Sequence, residues 1–113
     1  MALIRATSGS GGSGSSYMTH ITTIPPGGKI ICTDKNGNTF EPKYVIFGGR
    51  CNGGQRMFVY DGTPNTYYQY YSNQRLTHSM DNTAYGFKSI NSDGFTLSST
   101  LSNYYELDIL ATT

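Results

Sequence analysis

Charged side chains are scarce in this chain. Asp, Glu, Lys and Arg make up 13% of its 113 residues, about half the share in ordinary soluble domains. Eight Lys and Arg against seven Asp and Glu leave a net charge of +1. No two basic residues are adjacent between Arg5 and Lys88, so the clustered basic stripe that nucleic-acid binding needs is missing. Tryptophan is absent and cysteine is limited to Cys32 and Cys51. Two cysteines at this separation form no metal motif; they read as one disulfide or as two small thiols. No segment approaches the ~20 consecutive apolar residues of a membrane helix. The apolar start, Ala2-Leu3-Ile4, gives way at once to Gly and Ser, too short for a secretory signal. The expectation is a soluble protein that neither enters a membrane nor leaves by the general export route.

Gly, Ser, Thr and Asn fill the gap, together with ten Tyr. Helix formers are few, and the usage suits pleated, half-buried strands. Strand signals recur every eight to twelve residues or so, the spacing of an all-β sandwich or barrel. They predict strands at 18–24, 28–33, 40–47, 56–61, 66–71, 85–90, 94–98 and 104–111. Asp34-Lys35-Asn36-Gly37 predicts a tight hairpin and Asp93-Gly94 another turn, since Gly accepts positive φ without a Cβ clash. Gly48-Gly49 through Gly53-Gly54 reads as a long mobile loop, and 72–83 as irregular, with a helical turn at Asn73–Leu76. The last strand sets Tyr105, Leu107, Ile109 and Ala111 on one face and Tyr104, Glu106, Asp108 and Leu110 on the other. Two units result. Residues 1–16 are a flexible Gly/Ser-rich arm, suited to docking through Leu3, Ile4 and Arg5 on a neighbour. Residues 17–113 are one all-β domain, expected to be an antiparallel, jelly-roll-like β-sandwich.

The sequence lacks the usual signatures of a reaction centre or a metal site. Asp34-x-Asn36-x-Asn38 matches the opening of a calcium loop, but Thr39 stands where Gly is needed and Val45 where Glu is needed. The paired glycines are not followed by Lys-Ser/Thr or by a helix, so they cradle no nucleotide phosphate. Ser13 lies among glycines without the strand and spacing of a nucleophile elbow. His20 and His78 lack metal-ligand partners at nearby positions. Glu106 and Asp108 share a strand face, an arrangement more often serving solubility than acid–base catalysis. No nucleophile, base and orienter can be assembled. The expectation is a non-enzymatic protein with no cofactor and no metal.

One constellation survives. Tyr67-Tyr68-Gln69-Tyr70-Tyr71 puts rings on both faces of a single strand. One pair can join the core; the other must face solvent, a partner chain or a ligand. Tyr suits contacts because it brings a rigid ring and a polar tip at low entropic cost. Alternation with polar Gln69 favours Tyr67 and Tyr71 as the outward pair and Tyr68 and Tyr70 as core. Asn65, Asn73 and Arg75 stand nearby to supply hydrogen bonds to a glycan or a sister subunit. A strand buried on both faces is the plainer reading of the same pattern.

The order Phe40-Glu-Pro-Lys-Tyr-Val-Ile-Phe47, a Gly-rich loop, Met57-Phe-Val-Tyr-Asp61, Ser92-Asp-Gly-Phe-Thr-Leu97 and a Tyr-rich last strand resembles small β-sandwich modules of bacteriophage and prophage structural proteins. Met1-Ala-Leu-Ile-Arg5 with its Gly/Ser run resembles the start of short proteins from phage tail modules. The last strand departs from that pattern by ending Leu110-Ala-Thr-Thr113 rather than in an aromatic residue. The resemblance implies a virion structural protein of the tail or baseplate, assembled in the host cytoplasm, where both thiols stay reduced. Its partners would be other virion proteins through the arm, further copies of itself and, at the host surface, a glycan. A capsid decoration or head-fibre protein and a free carbohydrate-binding module are the alternatives.

Overall fold

A computed structural model describes residues 14–51, 54–81, 86–98, 101 and 104–113. The chain is all-β, and its strands form two antiparallel sheets. The strands are β1 (Ser16–Ile21), β2 (Lys29–Ile31), β3 (Tyr44–Cys51), β4 (Gly54–Tyr60), β5 (Thr66–Tyr71), β6 (Gln74–Ser79), β7 (Phe87–Asn91), β8 (Gly94–Leu97) and β9 (Tyr104–Thr112). Six of them form the larger sheet in the order β1-β9-β3-β4-β5-β6, and the other three form a smaller one, β2-β8-β7. Four consecutive strands, β3 to β6, therefore run as a meander. A jelly roll, by contrast, divides eight strands into two Greek keys.

Period-2 alternation sends Val45, Phe47, Phe58, Tyr67, Leu107, Ile109 and Ala111 to one face of the larger sheet, where they are buried. They share a cluster with Ile30, Phe87, Phe95 and Leu97 of the smaller sheet. Phe87 joins the two sides: its ring meets Phe47 edge-on at 5.0 Å, Tyr67 at 5.5 Å and Phe95 at 5.7 Å. Phe47 also stacks on Phe58 at 4.7 Å, so aromatic packing links both sheets.

The Asp34 turn forms as expected. Its carboxylate Oδ1 accepts from the N–H groups of Asn36 and Asn38 at 2.8 and 2.9 Å, and Gly37 has φ +84°. Beside it Cys32 is a buried free thiol, pushed up to about 12 by burial and then by the Asp93 carboxylate. Nothing is described of the Cys51 side chain.

Three expectations are corrected. The stretch 72–83 is neither irregular nor helical over its first half: Gln74–Ser79 is β6, paired with β5 in the register Tyr71↔Gln74 to Thr66↔Ser79. Its two-residue turn is made by Ser72, which takes φ +57° without being glycine, so the usual Asn-Gly signal is missing. The glycines at 48–49 and 54 do not bound a long loop. Gly48 and Gly49 continue β3, which pairs with β4 as far as Cys51↔Gly54. Gly49 is required there by packing, since a Cβ would overlap the Glu106 carbonyl oxygen of β9. Finally, the sheet engages Ser15 and Ser16, placed in the arm by sequence. Ser16 pairs with Thr112, and the Thr113 N–H donates to the Ser15 carbonyl at 3.0 Å. Leu3, Ile4 and Arg5 lie outside the described residues, as does the start of the strand expected at 85–90.

Candidate functional site

Alternation that buries one face of the larger sheet presents the other, and that face is unusually apolar. Two cross-strand rows define it. The first is Met18, Leu110, Ile46, Val59, Tyr68 and Thr77, one residue from each strand in register. The second, one step along the strands, is His20, Asp108, Gly48, Met57, Tyr70 and Arg75. Met18 is 66% exposed and Tyr44, beyond the first row, 53%. Leu110, flanked by Met18 and Ile46, is buried at 8% although it points away from the core cluster.

Two hollows share Ile46 and Leu110 as a common wall. The larger, about 500 Å³, lies between Met18, His20, Gly48 and Met57. It exists because Gly48 contributes no side chain between Asp108 and Met57. The smaller, about 330 Å³, is lined by Tyr44, Val59, Tyr60 and Thr112. The Thr112 hydroxyl at its wall is buried with no hydrogen-bond partner among the described residues, an arrangement that costs free energy unless a partner supplies one. Burial first, and then the Glu41 and Asp61 carboxylates, push the Tyr60 hydroxyl upward.

Asp61 stands at the smaller hollow, and the other charges of the face gather about the two ends of the second row. At the β1/β9 end, His20 Nδ1 stands 2.7 Å from Asp108 Oδ1 and its Nε2 3.6 Å from Glu106 Oε2. The hydrogen bond to Asp108, with the two carboxylate charges, raises the imidazole above its ordinary value despite some desolvation. At the β6 end, the Arg75 guanidinium lies over the Tyr68 ring at 4.7 Å, within cation–π range. No group of three or more His, Cys, Asp or Glu is placed to hold a metal ion among the described residues.

The tyrosine strand is in the expected place, and Tyr71 is exposed as expected, but Tyr67 takes the core side and Tyr68 and Tyr70 the open one. Tyr67 is fully buried and Gln69 nearly so, whereas Tyr68 is half-buried and Tyr70 exposed. The exchange follows from chemistry the sequence hides. Tyr67 Oη accepts from the buried Gly86 N–H at 3.1 Å, its ring stacks on His78 at 5.0 Å, and Gln69 Oε1 meets His78 Nε2 at 3.0 Å. Polar tips satisfied in this way can be buried. Tyr71, at the strand end, is exposed and lies under the Arg56 guanidinium, 3.7 Å from the ring centroid. Asn65 and Asn73 are exposed turn residues; Asn65 has φ +58° and its carbonyl accepts from Met80. Of the described residues that the sequence assigned to binding, only Arg75 lines the face defined here.

No known protein family, no curated protein and no solved structure matches this chain.

Sequence reasoning missed Met18, Ile46, Met57, Val59 and Leu110. A signal was present: Tyr44-Val45-Ile46-Phe47 is apolar at every position, which marks a strand with both faces apolar.

Proposed function

We propose that this chain is a non-enzymatic structural module of a bacteriophage virion, tail- or baseplate-associated, working as a protein-docking β-sandwich. The larger and smaller sheets are the two layers of that sandwich. The observation that carries the docking role is the apolar face of the larger sheet, left bare among the described residues, whose two hollows share Ile46 and Leu110. Exposed apolar patches of this kind mark contact sites. Aliphatic and thioether walls suit the side chains of another protein better than a sugar, which needs converging polar groups around a ring platform. The assignment to a virion rests on the resemblance of the Phe40–Phe47, Met57–Asp61 and Ser92–Leu97 segments to phage structural modules. Leu3, Ile4 and Arg5 of the arm are a second attachment point.

The test is Ile46→Lys in the phage that carries this gene. A lysine at the centre of the face should leave the melting temperature nearly unchanged, since Ile46 is half-buried and points away from the core. It should sharply lower the amount of the chain in purified particles. Normal occupancy of a folded variant would refute the docking role.

A further inference from the structure

The bare face is complementary to itself, and we infer that its occupant is a second copy of this chain, related by a two-fold axis parallel to the strands and passing between β3 and β4. This rests on the docking reading above and names the partner. Such an axis lays the order β1-β9-β3-β4-β5-β6 over its own reverse. β3 then covers β4, β9 covers β5 and β1 covers β6, with each cross-strand row facing the same row of the other copy. Aligned sheets pack within about 30° of parallel, so the match is closest near the axis.

Residue by residue the facing pairs are compatible. Nearest the axis, the hollow over Gly48 receives Met57, a flexible thioether that fills irregular gaps, and Ile46 meets Val59. One strand out, Leu110 meets Tyr68. At the ends of the second row, His20 with its Asp108 and Glu106 carboxylates meets Arg75, opposite charges that the two-fold brings together twice. In the row beyond the first, the unpaired Thr112 hydroxyl faces Thr66. That hydroxyl donates to the Pro64 carbonyl at 3.0 Å and keeps its oxygen as an acceptor. An isologous contact demands this self-complementarity; a face built for an unrelated protein has no need of it.

Size sets the strength. Six strands about 4.8 Å apart and about six residues long cover on the order of 500 Å² per copy. The pair then buries about 1,000 Å², the lower bound for a specific interface. The dimer should be reversible and concentration-dependent.

Charge exchange tests the geometry. Arg75→Glu and Asp108→Lys both alter exposed side chains, so thermal melts should show each variant folded. By sedimentation, the wild-type chain should dimerise, and each variant alone should dimerise about tenfold or more weakly, a loss worth about 1.4 kcal/mol per tenfold. An equimolar mixture of the two should recover dimers, because in the mixed pair both ends carry opposite charges again. Met57→Lys, which sets a charge in the apolar contact nearest the axis, should remove dimers altogether and serves as a second probe, independent of the charged ends. A wild type that stays monomeric at its highest soluble concentration would overturn the inference, as would variants that pair as well as wild type or a mixture that fails to recover. If the wild type is monomeric while Ile46→Lys still empties the particle of this chain, the face docks a different protein, and only the self-pairing falls.

Discussion

Among the described residues of the bare face, His20 is the one histidine, the side chain whose ordinary titration lies nearest neutrality. Its hydrogen bond to Asp108, reinforced by Glu106, holds the proton more tightly than in a free imidazole. The ordinary value is about 6.5. Because the folded value is raised, the stabilising contact is fully present below the unfolded value and is lost as pH rises through the folded one. An NMR titration of the His20 ring should give a midpoint above 6.5 or so, and Asp108→Asn should move it back down. An unchanged midpoint in the variant would remove Asp108 as the cause. Gly94 makes a different kind of demand. It has φ +154° and opens β8 directly against β2, so that a Cβ would overlap the Ile30 carbonyl oxygen. Gly94→Ala should lower the melting temperature markedly, whereas Gly37→Ala, with open space around its Cβ position, should cost only the strain of its turn. Equal losses at both positions would show that the close approach to Ile30 is not what matters.

At the scale of the element, β5 decides between surface and core. Tyr67→Ala should cost about 3–5 kcal/mol, as large aromatic deletions in cores do, because it also leaves the buried Gly86 N–H without its acceptor. Tyr70→Ala on the bare face should cost only about 0.5 kcal/mol. Chemical denaturation of the two variants measures both, and a reversed order would restore the opposite register. The strand itself was legible in the sequence, as were most others, because alternation and turn residues are local signals. Its register was not, since Tyr and Gln on adjacent positions give no contrast in polarity and a one-residue slip exchanges every face. β6 was illegible for a related reason. Its exposed Gln74-Arg75-Leu76-Thr77 lacks apolar alternation, and Ser72 supplies the positive φ that Gly or Asn would have advertised. The bare face was only half legible: Ile46 and Leu110 showed in the pattern, but which strands lie beside them depends on long-range pairing, β9 with both β1 and β3, that spacing does not encode.

For the whole molecule, the core is built from aromatic and aliphatic side chains of both sheets, with Cys32 as a free buried thiol inside it. Melting temperature should therefore be the same with and without a chelator or a reductant. A large drop with either would mean that an ion or a disulfide contributes to the fold. Removing residues 1–13 should also leave the melting temperature within a few degrees of the full chain, because Leu3 and Ile4 among Gly and Ser offer little apolar surface. The same truncation should lower incorporation into particles, and normal occupancy would make the segment a leader without a docking role.

The exchange between Ser15 and Thr113 bears on how the molecule carries tension. Two hydrogen bonds, 2.8 and 3.0 Å long, tie these residues together, and β1 and β9 then run antiparallel from Ser16↔Thr112 to Ile21↔Leu107. A force drawing Ser15 and Thr113 apart acts on a single rung at a time, so the ladder opens like a zipper and yields at low force. The same force applied between Ser15 and Leu107 would load all the rungs of β1 together in shear and meet far greater resistance. A single-molecule pulling experiment with handles at these two pairs of positions should show the difference directly, with β1 peeling away first in the weak geometry while the remaining strands keep their packing.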